Sequence, residues 1–243
     1  MTDLTDRQKD LLKAIVELYV KSGEPIGSEI LEKEYHLGVS PATIRNEMVR
    51  LTEAGFLKQP HTSAGRIPTS IGYRIYISEL MKEKELPVSA EVSMKENLWQ
   101  QRYQQNKLLK EAVRGLAVKL QVLAMAVNDE GDIFYSGAAN ILDFAEFEDI
   151  DVARFVLSLF DEYPTLEQIL GKAKGTDPLH VLFGDELEYE DLSPTSFVFC
   201  RYAGRGERTG VVGVIGPARM NFPLVLPYVR YTSNLVSQAL RSW

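Results

Sequence analysis

Apolar residues recur at helical spacing from the start of the chain. Leu11, Leu12, Ile15, Val16 and Tyr19 share one face of a predicted helix that opens at the capping box Thr5-Asp6-Arg7-Gln8 and runs to about Lys21. Gly23-Glu24-Pro25 breaks it, and a second short helix is expected from about Ser28, burying Ile30, Leu31 and Tyr35 and stopping at Gly38. In the next segment Ser40 suits an N-cap and Pro41 a first helical position, where a missing N–H costs nothing. Ile44, Met48 and Leu51 then fall at i, i+4 and i+7, and Gly55 ends the helix as a left-handed residue. Phe56-Leu57-Lys58-Gln59 reads as a strand, 60–65 as a turn, and Arg66-Ile67-Pro68 as the returning strand. Three helices and a hairpin in this order predict a winged helix-turn-helix. A further helix follows, with Tyr73, Tyr76, Ile77 and Leu80 on its apolar stripe.

Residues 82–91 are charged and contain Pro87, which predicts a linker. Residues 92–120 read as one long helix, in which Leu109, Val113, Leu116 and Leu120 keep a 4-3-4 spacing behind Trp99 and Tyr103. That stripe suits either packing on its own domain or a contact between two copies. From Val122 the period shifts to strands: 122–127 and 133–136 flank the hairpin signal Asn128-Asp129-Glu130-Gly131-Asp132, and 180–183, 196–202 and 210–215 follow. Helices are expected at 150–160, 165–170 and 224–240. The predicted division is a winged helix-turn-helix domain over 1–81, a linker over 82–91 and a second domain over 92–243.

The helix at 41–53 changes meaning once its outer face is considered. At about 100° per residue the side opposite the buried stripe carries Ala42, Asn46, Val49 and Arg50, with Arg45 on its flank. Arginine can fork onto guanine, asparagine onto adenine, and small apolar groups can touch a thymine methyl. The expected DNA-binding set is Ser28, Ser40, Pro41, Ala42, Thr43, Arg45, Asn46, Val49 and Arg50, with His61, Thr62, Ser63, Gly65 and Arg66 from the wing. Within it Arg45, Asn46 and Arg50 would read bases. Ser40, Thr43 and Arg66 would hold the backbone, and Gly65-Arg66 would let main chain and cation approach phosphates or the minor groove. An ordinary amphipathic surface helix and a plain hairpin would each show parts of this pattern. Their succession in this order carries more than either alone.

Charge sharpens the picture. The formal charge of the whole chain is −7. Residues 40–76 hold five Lys/Arg against two Asp/Glu, whereas 87–243 hold fifteen against twenty-one. A basic face on an otherwise acidic chain suits selective rather than indiscriminate binding of nucleic acid.

Two long runs, Leu37-Gly38-Val39-Ser40-Pro41-Ala42-Thr43-Ile44-Arg45-Asn46-Glu47-Met48 and Gln59-Pro60-His61-Thr62-Ser63-Ala64-Gly65-Arg66-Ile67-Pro68-Thr69, together with Gly23-Glu24-Pro25-Ile26-Gly27-Ser28, resemble the HrcA family of bacterial heat-inducible transcription repressors. Asp132-Ile133-Phe134-Tyr135-Ser136-Gly137-Ala138-Ala139-Asn140-Ile141-Leu142 and Gly210-Val211-Val212-Gly213-Val214-Ile215-Gly216-Pro217-Ala218-Arg219-Met220 resemble that family's GAF-like domain. The resemblance implies an α+β protein in which the winged helix precedes a GAF-like α/β regulatory and dimerisation domain with an antiparallel sheet. It further implies a homodimer on an inverted-repeat operator in double-stranded DNA upstream of chaperone genes, release on heating, and the GroE chaperonin as a partner. Members of the family are longer, with a dimerising domain inserted in the GAF-like part. This chain therefore reads as a natural short form or an internally deleted relative, and it has Asn221-Phe222 where Asp-Tyr is expected.

Catalytic motifs do not emerge. The sequence has no Gly-x-Ser-x-Gly elbow, P-loop or His-Glu-x-x-His, and His36, His61 and His180 lack metal-ligand spacing. Cys200, the single cysteine, lies in an apolar run that predicts a buried inert thiol. The acidic stretch 185–191 lacks the spacing of a calcium loop. No enzyme activity, cofactor or metal is expected. No apolar run approaches the 18 residues of a membrane span, and Met1-Thr2-Asp3 leads straight into the first helix, so a cytoplasmic protein without a signal peptide is expected. A ligand-sensing regulator, with a small molecule in the GAF-like domain, is the alternative; a GAF-like fold alone does not imply a ligand.

Overall fold

The computed structural model describes residues 4–35, 40–161, 163–206 and 208–242. The chain divides into two compact units between Lys82 and Glu83. In the first, helix α1 (Asp6–Ser22) opens at a complete capping box, in which Thr5 and Gln8 satisfy each other's backbone N–H. It buries Leu11, Leu12, Ile15 and Val16. Helix α2 (Ser28–Tyr35) turns Leu31 inward, but Ile30, expected in the core, is exposed. The expected stop at Gly38 lies outside the described residues, as does His36. Helix α3 (Pro41–Glu53) has Ser40 as N-cap, its hydroxyl accepting from the Thr43 N–H, and Pro41 in its first turn. It closes at Gly55 with φ of 81°, as expected for a left-handed terminus. The Phe56 N–H returns to the Leu51 carbonyl and the Gly55 N–H to that of Thr52, so two orphan carbonyls are satisfied.

Strands β1 (Leu57–Lys58) and β2 (Ile67–Pro68) form the hairpin, and Ile26 pairs with Arg66 as a one-residue third strand. Helix α4 (Ser70–Ile75) continues into a π-helical turn over Tyr76–Leu80. Tyr73 and Tyr76 are buried there. Burial, with the Glu17 carboxylate adding to it, pushes the Tyr76 hydroxyl up to about 12 from an ordinary 10.0. The folded chain holds that proton after an unfolded chain has released it. Stability is therefore unchanged by this group below pH 10 and falls between about 10 and 12, by roughly 2–3 kcal/mol. Urea denaturation across that range checks this; Tyr76→Phe makes the slope shallower, and what remains comes from other tyrosines pushed up in the same direction, Tyr35 and Tyr202 among them.

In the second unit, helices α5 (Val88–Gln100) and α6 (Gln105–Leu120) replace the single helix expected over 92–120. The polar run Gln100-Gln101-Arg102-Tyr103-Gln104 offers only Tyr103, which is exposed, to carry the buried stripe across. The chain turns there instead, with the Arg102 guanidinium over the rings of Trp99 and Tyr103. The stretch read as a linker is held within this unit: α5 begins at Val88, Lys84 N–H donates to the Pro223 carbonyl at 2.8 Å, and Glu83 accepts two bonds from Arg230. Leu109, Val113 and Leu116 are fully buried in their own domain, and α6 packs against helix α9 (Phe222–Arg241).

Strands β3 (Leu123–Val127), β4 (Ile133–Ser136), β5 (Leu179–Phe183), β6 (Thr195–Ala203) and β7 (Thr209–Pro217) form an antiparallel sheet in the order β4-β3-β7-β6-β5. Leu123, Met125, Phe197, Phe199 and Ile215 meet Val152 and Val156 of helix α7 (Ile150–Ser158) and Leu166 and Ile169 of helix α8 (Tyr163–Gly171) in one apolar core. Helices α6 and α9 also lie against the sheet. Cys200 is buried and its thiol is pushed up by burial, which keeps it protonated. The fold class is α+β, with a winged helix-turn-helix followed by a GAF-like unit. Among the described residues no helix is long and apolar enough to cross a membrane.

Candidate nucleic-acid interface

The stripe of Ile44, Met48 and Leu51 is buried, so the opposite side of α3 faces outward. Ala42, Arg45, Asn46, Val49 and Arg50 are all exposed, with Ser40 exposed at the cap and Pro41 and Thr43 half-buried in the first turn. Glu53 falls on the same arc in the last turn and is exposed. The structure adds one feature that periodicity did not reveal: Glu47 is buried at 8 % exposure among the apolar stripe. Glu47 remains tolerable there because both carboxylate oxygens have partners: Oε2 accepts from Gln8 Nε2 at 3.1 Å, and Oε1 from Arg50 Nη1 at 2.9 Å.

The wing divides into a held base and a free tip. Gln59 Nε2 donates to the carbonyls of Thr62 and Ala64, which sets the turn, and His61, Thr62 and Ser63 are exposed at its end. Gly65 and Arg66 stand at the base of the wing, on the side that faces α2 and α3. A Cβ on Gly65 would lie 2.4 Å from the carbonyl of Ile26, so the glycine allows close approach of two protein strands. Arg66 Nε donates to Thr52 Oγ1 at 3.0 Å, which ties the wing to α3. The Arg66 backbone exchanges two hydrogen bonds with Ile26, and its side chain is half-buried. Ser28, also expected at the interface, is buried at 7 % exposure in the first turn of α2.

Between α2, α3 and the wing runs a groove of about 530 Å³. Arg45 and Met48 form one wall, Ser28, Glu29 and Ile30 another, and Thr62, Ser63, Gly65 and Arg66 the wing side. Exposed Ile30 is thereby explained: it faces this groove and not the core. Arg45 stands on the groove edge of α3, and Arg50 on the opposite edge of the same exposed arc. A helix with a cation at each edge, an amide and a small apolar strip between, and a polar loop alongside can present side chains to base edges and flanking phosphates together.

Known proteins share both units. Residues 3–82 match the family described as "Winged helix-turn-helix transcription repressor, HrcA DNA-binding", and residues 71–226 match "HrcA protein C terminal domain". The heat-inducible transcription repressor HrcA of Desulforudis audaxviator is 26% identical over 338 positions, spanning 98% of this chain and 98% of its own. The repressor of the same name from Syntrophobacter fumaroxidans is 27% identical over 343 positions, spanning 99% and 98%. Both alignments are longer than the 243 residues here, so those relatives carry segments with no counterpart in this chain. A crystal structure of a hypothetical protein, 19% identical, has the same fold with a TM-score of 0.81 over 99% of each chain. This chain belongs to the HrcA family of heat-inducible transcription repressors.

Proposed function

We propose that the protein represses heat-shock (chaperone) genes by binding an inverted-repeat operator as a homodimer, and that heating releases it. The observation that carries this reading is the exposed arc of α3, where Ala42, Arg45, Asn46, Val49 and Arg50 stand beside a wing tip of His61, Thr62 and Ser63. Arg45, Asn46 and Arg50 read bases; Ser40 and Thr43 hold the backbone. A two-fold operator needs two such heads at a fixed separation. Heating loosens the second unit or the dimer, so the spacing is lost before α3 unfolds. The GroE chaperonin, implied by the family resemblance, would restore the active form. A role in the cytoplasm without catalysis fits a repressor.

The ligand-sensing alternative has less support. The sheet face toward α7 and α8 is filled by its apolar core. A cleft of about 320 Å³ near Asp129, Glu167 and Arg201 lies at the rim, and these three side chains are exposed. Sedimentation of the protein with inverted-repeat and single half-site duplexes tests the proposal. The expected result is one dimer per inverted repeat, with the half-site bound at least tenfold more weakly. Equal affinity for both would refute the two-headed mechanism.

A further inference from the structure

The exposed arc of α3 is connected to the start of α1 by a continuous chain of polar contacts. Thr5 N–H donates to Gln8 Oε1 at 3.0 Å, which fixes which way the Gln8 amide points. Its Nε2 is thereby aimed at Glu47 Oε2, 3.1 Å away. The other Glu47 oxygen accepts from Arg50 Nη1 at 2.9 Å. Glu47's side chain is 11 % exposed, whereas that of Arg50 is 66 % exposed.

An exposed i, i+3 ion pair between two free side chains would hold Arg50 weakly, because both chains must give up their rotamers. Here one partner is already fixed. Glu47 is buried and clamped by Gln8, which is itself clamped by the capping box. Arg50 alone has to be ordered, and the bond is charge-assisted. One Nη1 hydrogen is used, the planar fork has further donors, and the side chain as a whole stays 66 % exposed.

We propose that Glu47 is a positioning residue for base recognition: it holds the Arg50 fork in one orientation on the exposed face, and the α1 capping box is the outer end of that support. The assignment rests on reading α3 as the base-contacting helix. A pre-ordered arginine loses less freedom on binding and rejects a wrong base more strongly. The Glu47 charge also offsets one positive charge at the surface, which weakens sequence-independent attraction to phosphates. Both effects act in the same direction, toward a larger ratio of specific to non-specific binding.

The test uses the full chain and a duplex library randomised across two half-sites. The parent, Arg50→Ala and Glu47→Gln are each put through selection. The selected duplex is then titrated against single-base variants at several salt concentrations. Arg50→Ala is expected to lose discrimination at one base pair per half-site by about tenfold or more. Glu47→Gln loses it at the same base pair by about three- to tenfold, while its affinity for unrelated duplex rises and its preferences elsewhere are kept. A merely structural role would instead lower affinity for every sequence alike, and that result overturns the proposal. So does unchanged discrimination. If Glu47→Gln does not fold, as judged by circular dichroism, Gln8→Ala carries the test, since it leaves both Glu47 and Arg50 in place. It is expected to show a smaller loss at the same base pair, and no loss there overturns the proposal. A parent that selects no sequence at all would defeat the DNA-reading function itself, and this inference with it.

Discussion

The double variant Arg45→Ala, Asn46→Ala binds the selected operator roughly a hundredfold more weakly than the parent and unfolds at the same temperature. Both side chains stand on the exposed arc of α3, and neither belongs to the buried stripe of Ile44, Met48 and Leu51. Their removal therefore leaves no cavity in the core and strands no buried polar group. What is lost is the pairing of a guanidinium and an amide with base edges. The loss should thus be concentrated on the operator, with unrelated duplex weakened only by the one missing charge. Titration of both duplexes at two salt concentrations, beside thermal melts of the protein, checks this. A matching fall in thermal stability would mean that α3 had been damaged rather than silenced.

Gly65→Ala has the other large effect, by the opposite route. The new Cβ would fall 2.4 Å from the carbonyl carbon and oxygen of Ile26 and 2.8 Å from the Gly27 nitrogen. All three are backbone atoms, so no side chain can swing aside. The two Ile26–Arg66 hydrogen bonds, each 2.9 Å, must part or the wing must shift. About 3 kcal/mol of stability is expected to go, the upper end for an overpacked site. Operator affinity falls along with it, because the wing is also tied to α3 through Arg66 and Thr52. Urea denaturation followed by duplex titration separates the two losses. An unchanged denaturation midpoint would show that the wing does not depend on this contact.

These two variants mark what the sequence makes legible and what it leaves hidden. The outer face of α3 follows from a 3.6-residue period, and its limits follow from Ser40-Pro41 and Gly55, all local signals. The hairpin of β3 and β4 and the apolar strands β6 and β7 were equally local. Glu47 was not legible, because a carboxylate within an amphipathic helix reads as solvated. Its burial depends on Gln8, thirty-nine residues earlier in the chain. Gly65 signalled a close approach, but that the Ile26 backbone lies against it depends on a segment thirty-nine residues earlier and is not a local signal. Ile30 faces outward for a similar reason, since the wing creates a groove that it lines together with Ser28. The 4-3-4 spacing of Leu109, Val113, Leu116 and Leu120 specifies an apolar partner surface without saying whose. Here α9 and the sheet of the same unit supply it. The break between α5 and α6 required judging that one polar run was too long to cross, which periodicity alone did not decide.

Hydroxyl-radical footprinting of the protein's side chains, with and without the selected inverted-repeat duplex, tests the central claim most directly. The account predicts protection at Pro41, Arg45, Val49 and His61, with the residues of β5, β6 and α8 unaffected by direct contact. Unchanged reactivity across α3 and the wing tip, with protection confined to the second unit, would contradict it.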